Sequence, residues 1–116
     1  MRERAQRQWA PWVAVAGGTA AIALAAAAAY GQGASPVISQ GQRLYAEQGC
    51  YGCHTMGKTG TAIAPDLSHV GSRYTETYLR DWLREPQQQK PRAHMPKIQM
   101  AEAEARALAA YLASLK

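Results

Sequence analysis

Phenylalanine is missing from the 116 residues, and there are only two cysteines. Much of the apolar content is alanine, so large core side chains are few in the 86 residues that follow Tyr30. A domain this small rarely supplies a sufficient core by itself and needs a staple. No second Cys pair exists to complete a zinc site at paired spacing. No strand-rich run surrounds the cysteines, which removes the βαβ setting of a thioredoxin-like redox motif. Nor is there a nucleophile–base constellation, a pair of carboxylates with room between them, a second metal cluster or an internal repeat. That argues against an enzyme with its own small-molecule substrate. The net charge is +5, yet the basic residues are scattered rather than interleaved with base-stacking aromatics, which speaks against nucleic acid.

What is present is concentrated at Cys50-Tyr51-Gly52-Cys53-His54. Cys-x-x-Cys-His is the attachment pattern for c-type haem. Two thiols three residues apart on a helical turn match the spacing of the two haem vinyl groups. The histidine that follows can turn its imidazole to the iron. One covalent haem c uses both cysteines, leaves no disulfide framework, and supplies the missing staple. The apo form is expected to fold poorly.

Residues 9–30 contain no charge. As a helix these 22 residues span ~33 Å, enough for a hydrocarbon core of ~30 Å. Trp9 and Trp12 at one border and Tyr30 at the other stand where interfacial aromatics belong. Arg2, Arg4 and Arg7 precede the run, and residues 31–42 carry no charge, so the positive-inside rule puts 1–8 in the cytoplasm and the rest outside. A cleaved signal peptide is the competing reading, with Ala27-Ala28-Ala29 as its small-residue cleavage positions. The run is longer than an h-region of roughly 7–15 residues and is bordered by aromatics, so a retained transmembrane anchor in a bacterial inner membrane is expected. Residues 31–36, rich in Gly, Ser and Pro, form a linker of only ~20 Å. A haem domain at 37–116 would therefore lie in the periplasm and close to the membrane surface.

From Val37 the periodicity becomes helical, with Gly41, Leu44 and Tyr45 on one face and Gly49 ending the helix. Residues 56–66 read as an irregular loop with turn signals at Gly57, Gly60 and Pro65. A second helix is predicted over about 75–85, with Tyr78, Leu79, Trp82 and Leu83 on its apolar face and Pro86 closing it. Residues 87–99 read as an extended loop. The last helix is predicted from about Ala101, with Ala105, Leu108, Leu112 and Leu115 at three- and four-residue spacing. The fold class is all-α, a small helical haem domain preceded by one membrane helix.

From about Gly41 to Lys116 the chain resembles a class I cytochrome c domain. Residues 41–45 resemble that family's first helix, and Cys50 to His54 its haem site. Pro65-Asp66-Leu67 resembles the loop that supports the histidine ligand, His94-Met95-Pro96 the distal methionine loop, and residues 108–115 the C-terminal helix. The segments 64–73 and 78–86 resemble cytochrome c domains associated with respiratory haem–copper oxidases. Ala101 departs from the family's Ser or Thr helix cap, which would loosen that helix start.

His54 is the proximal iron ligand by motif. Met56, Met95, Met100, His69 and His94 are the candidates for the sixth position. Met56 is too close to His54 to reach the other face, Met100 reads as a packing residue, and His69 as a surface residue. The resemblance implies Met95, with His94 as the substitute that would give a bis-histidine site. A thioether favours Fe(II) and so a high potential. The resemblance also implies that the Pro65 carbonyl accepts a hydrogen bond from His54, and that Arg73, Tyr74 and Trp82 donate to the haem propionates.

Two functions compete. One is a membrane-anchored monohaem electron carrier in a respiratory chain, feeding or belonging to a terminal oxidase. A quinol-oxidising complex or a periplasmic dehydrogenase is the other partner considered. The second function is a haem c gas sensor or enzyme with an open sixth position, for which Met95 would have to stay off the iron.

Overall fold

In the computed structural model the described residues are 35–116, and the anchor expected over 9–30 lies outside them. Three longer helices, α1 (Pro36–Glu47), α2 (Glu76–Arg84) and α4 (Glu102–Ser114), make the frame, and a single turn, α3 (Pro86–Gln89), follows α2. Two 3₁₀ turns (Cys50–Gly52 and Val70–Ser72) and a hairpin of two-residue strands, β1 (Thr55–Met56) and β2 (Thr59–Gly60), complete the helical domain. Among the described residues no helix is long and apolar enough to cross a membrane.

Helix α1 begins with Pro36 in its first turn, where the missing N–H would have lacked a helical partner anyway. It ends because Gly49 takes a left-handed φ of 74°, a conformation that is strained for other residues. Its buried residues are Gly41, Leu44 and Tyr45, the face that the spacing predicts. Gly41 makes the crossing with α4 possible: a Cβ there would run into the Ala107 carbonyl oxygen and come within 2.6 Å of Tyr111 Cβ.

Helix α4 is the centre of the packing. Ala105, Ala107, Leu108, Ala109, Ala110, Tyr111 and Leu112 are all buried, because α1 and α2 both lie against it. Burial of a leucine such as Leu108, which has no exposed surface, is worth about 1.5–3 kcal/mol. Tyr45 meets Tyr51 edge-on at 4.7 Å and Tyr111 at 6.1 Å between ring centroids, filling space that phenylalanine often fills elsewhere.

Three local readings are corrected by the structure. Residues 56–66 are not wholly irregular: Gly57, at φ 59°, and Lys58 turn the chain so that Met56 pairs with Thr59. Pro86 does more than close α2, because it opens α3, and the chain between 87 and 99 therefore starts helical. The start of α4 is not loose despite Ala101: Glu104 reaches back, and its carboxylate accepts the Ala101 N–H at 2.8 Å. Alanine has no side-chain acceptor, so this is half of a capping box. Thr75 caps α2 in the ordinary way, its hydroxyl accepting from the Tyr78 N–H at 3.2 Å.

Candidate functional site

A cavity of about 570 Å³ opens into the domain between the Cys50–His54 turn, the α2 face and the loop that carries Met95. That size lies within the range of about 300–1,000 Å³ usual for cofactor pockets. Cys50, Cys53, His54, Pro65, Arg73, Tyr74, Trp82, His94 and Met95 all line it, alongside Leu67, Leu79 and Leu83. Met56, Met100 and His69 do not line it. Met100 packs on the core from outside, Met56 sulfur accepts from the Tyr111 hydroxyl at 3.6 Å, and His69 Nδ1 lies 2.7 Å from the Lys116 carbonyl oxygen.

The motif is held by its own backbone. The Cys53 and His54 N–H groups both donate to the Cys50 carbonyl, at 3.2 and 2.9 Å, so the two thiols and the imidazole stand on one short turn. Cys50 is half-buried and Cys53 exposed, and neither is in a disulfide. Burial pushes the Cys50 thiol pKa up. Downstream, the Ala64 N–H donates to the Cys53 carbonyl at 2.7 Å, which folds the next loop back over the motif.

That loop sets the histidine. His54 Nδ1 lies 2.7 Å from the Pro65 carbonyl oxygen. A carbonyl can only accept, so Nδ1 carries the proton and Nε2 keeps its lone pair for a ligand. Asp66 braces the same loop: it accepts from the Thr55 hydroxyl at 2.7 Å and from the Ser68 N–H at 2.9 Å. These bonds, with that of the Ser68 hydroxyl, hold the Asp66 carboxyl below the usual carboxylate range. The Arg73 guanidinium donates to the Asp66 carbonyl at 3.1 Å.

On the other wall, Met95 is fastened from several directions. Gln87 Nε2 donates to the carbonyls of Ala93 and Met95, both at 3.1 Å. Lys97 is paired with Glu85 at 2.5 Å. The Trp82 indole N–H donates to Met95 Sδ at 3.0 Å, while the Tyr78 ring stacks between Trp82 and Tyr74. Gln87 had no motif signal in the sequence, and the Pro65-Asp66-Leu67 resemblance gave Asp66 no role of its own; each acts through a loop whose path the sequence does not reveal.

The donor set fits haem c. Two thiols, one imidazole with a free Nε2 and one thioether line a single, mostly apolar cavity. Tyr45 also lines it; its buried hydroxyl has no hydrogen-bond partner, and burial, then the nearby Cys50 and Tyr51, raise its pKa well above the ordinary tyrosine value. Among the described residues no three His, Cys, Asp or Glu side chains are grouped as a metal cage.

Comparison with known proteins agrees. The Cytochrome c family model matches residues 38–116. The chain is 40% identical over 89 residues to cytochrome c oxidase subunit 2 of Alkalihalophilus pseudofirmus, an alignment that covers 69% of this chain and 26% of that protein. The chain thus spans about a quarter of the length of the curated relative that it matches.

Proposed function

The chain belongs to the class I cytochrome c family, electron carriers with covalently bound haem c, and on that premise we propose that it relays single electrons to, or within, a terminal respiratory oxidase while anchored in the bacterial inner membrane. The 40% identity to an oxidase subunit carries this reading. The uncharged run over 9–30 and its preceding arginines support the anchor, with the haem domain on the periplasmic side.

When bound, haem c supplies a one-electron Fe(II)/Fe(III) couple. The residues hold and tune it. Cys50 and Cys53 would form the two thioethers. His54 would offer Nε2 to the iron, and its bond to the Pro65 carbonyl fixes the tautomer and would strengthen the ring as a donor. Met95 would hold the iron from the distal loop, and a sulfur ligand there would leave no place for a gas or a substrate, which would separate a carrier from a sensor. A soft sulfur there would favour Fe(II), which suits the oxidising end of a respiratory chain. Arg73 and Tyr74, which line the cavity, would donate to the propionates.

Gentle solubilisation of membranes followed by affinity purification tests this reading. Oxidase subunits should copurify, and mass spectrometry should find peptides from before Trp9 in the mature chain. Recovery with a dehydrogenase or quinol-oxidising complex would reassign the partner, and a mature N-terminus near Tyr30 would remove the anchor.

A further inference from the structure

The arginines and lysines from Arg73 to Arg106 divide by whether they face the cavity. Arg80, Arg84, Lys97 and Arg106 do not line it, and each is paired with a carboxylate, on Asp81, Glu102, Glu85 and again Glu102. Arg73, Lys90 and Arg92 do line it, and among the described residues none of the three is in an ion pair. No Asp or Glu lines the cavity with them. Charges of one sign beside an apolar cavity repel one another more strongly than in water. The arrangement therefore suits an anion that brings its own negative charge.

Two of the three cations stand on the loop that carries Met95. The Lys90 N–H donates to the Pro86 carbonyl and the Ala93 N–H to the Lys90 carbonyl, both at 2.9 Å, so residues 90–93 make a tight turn between α3 and Met95. The Lys90 ammonium lies 6.0 Å from the Trp82 ring centroid, the outer limit of a cation–π contact, which leaves its donors for another partner. Arg73 belongs to the opposite wall, where it donates to the Asp66 carbonyl at 3.1 Å in the loop that orients His54.

We propose that Lys90 and Arg92 are a carboxylate-binding pair for a haem propionate. The inference deepens the reading of this cavity as a haem c site and rests on it. A guanidinium can hold a carboxylate through two parallel N–H donors, and an ammonium adds a point charge. Haem c brings two propionates, so Arg73 with Tyr74 and Lys90 with Arg92 give each wall its own anchor. The cofactor then ties the turn before Met95 to the rest of the domain by charge as well as by packing. An acidic docking partner is the other anion that these exposed side chains could meet, and it predicts a different result.

Carbon-13 NMR of the reduced full-length holoprotein, its haem labelled at the propionate carboxyls, reads the two ionisations directly across a range of pH at low salt. In the double variant Lys90→Gln with Arg92→Gln, one carboxyl should ionise at higher pH than in the wild type, because its anion has lost two cations. The shift should be roughly threefold to tenfold in proton concentration, the size expected of two exposed ion pairs. Lys58→Gln, an exposed charge that does not line the cavity, should move neither carboxyl. Arg92→Lys should keep most of the wild-type behaviour. If the double variant retains too little haem, the wild type carries the test: the Arg92 guanidinium nitrogen-15 resonance should titrate with the midpoint of that carboxyl. Identical carboxyl titrations in the wild type and the double variant would overturn the proposal, as would an Arg92 resonance blind to the carboxyl. Unmoved carboxyls together with a weaker salt dependence of electron transfer to the oxidase would overturn it in favour of an acidic partner. A wild type without covalent haem in a pyridine haemochrome spectrum would instead remove the cofactor reading itself.

Discussion

His54 Nδ1 donates to the Pro65 carbonyl at 2.7 Å, and the residues after each repeat the contact, with the Thr55 hydroxyl on Asp66 at 2.7 Å. The Leu67 N–H on the Thr55 carbonyl and the Gly57 N–H on the Ser68 hydroxyl extend the series. The orientation of the His54 ring is thus set by a small ladder between residues 54–57 and 65–68, in which Asp66 is the charged rung.

That rung is sensitive to acid. The Asp66 pKa is lowered in the fold, first by the Thr55 hydroxyl and then by the Ser68 N–H and hydroxyl. A lowered pKa means stabilisation that is fully present above the unfolded value of about 3.9 and lost as pH falls through the folded value. Asp66→Asn should therefore melt below the wild type at neutral pH, with the gap closing as pH falls into the acid range. Thermal melts of both proteins across that range check this. A gap that stays constant would mean that the carboxylate charge contributes nothing.

Gly41→Ala isolates the helix crossing. Alanine gains ~1 kcal/mol of helix propensity over glycine, but the new methyl meets the Ala107 carbonyl, part of the α4 backbone. Backbone cannot step aside as a side-chain tip can. Overpacking costs about 1–3 kcal/mol, so the net expected is a lower denaturation midpoint with the haem spectrum kept. A raised midpoint would show that α1 and α4 can separate at little cost.

The core alone should not hold the domain. The double replacement Cys50→Ala with Cys53→Ala should leave no haem bound after acid–acetone extraction, and the product should lack cooperative unfolding by circular dichroism. Either single replacement should retain at most one thioether. A cooperative melt in the haem-free double variant would show that helix packing suffices without the staple.

Much of this site was legible in the sequence because its chemistry is local. The haem motif is five consecutive residues, and the apolar faces of α1 and α2 follow helical spacing that survives in the fold. Helix α4 shows where such a pattern runs short. Its spacing marks a stripe through Ala105, Leu108 and Leu112, yet Ala107, Ala109 and Ala110 are buried as well, because two helices pack on it and alanine spacing carries little contrast. The hairpin at 55–60 escaped because two-residue strands are too short for alternation to register. Asp66, Gln87 and the Trp82–Met95 contact depend on how loops return to the helices, and residue spacing does not encode that path.

The sixth iron ligand is the point on which the electron-carrier assignment turns, and the near-infrared spectrum of the oxidised protein in three variants tests it most directly. The band of Met–Fe(III) coordination should be lost in Met95→Ala and in Met95→His, the latter staying six-coordinate at a lower potential. It should survive in Met100→Leu, where a packing side chain is exchanged for one of similar volume at a cost below about 1.5 kcal/mol. A band that survives Met95→Ala and disappears in Met100→Leu would contradict the ligand assignment. A wild type that lacks the band and binds carbon monoxide readily would contradict the electron-carrier reading as a whole.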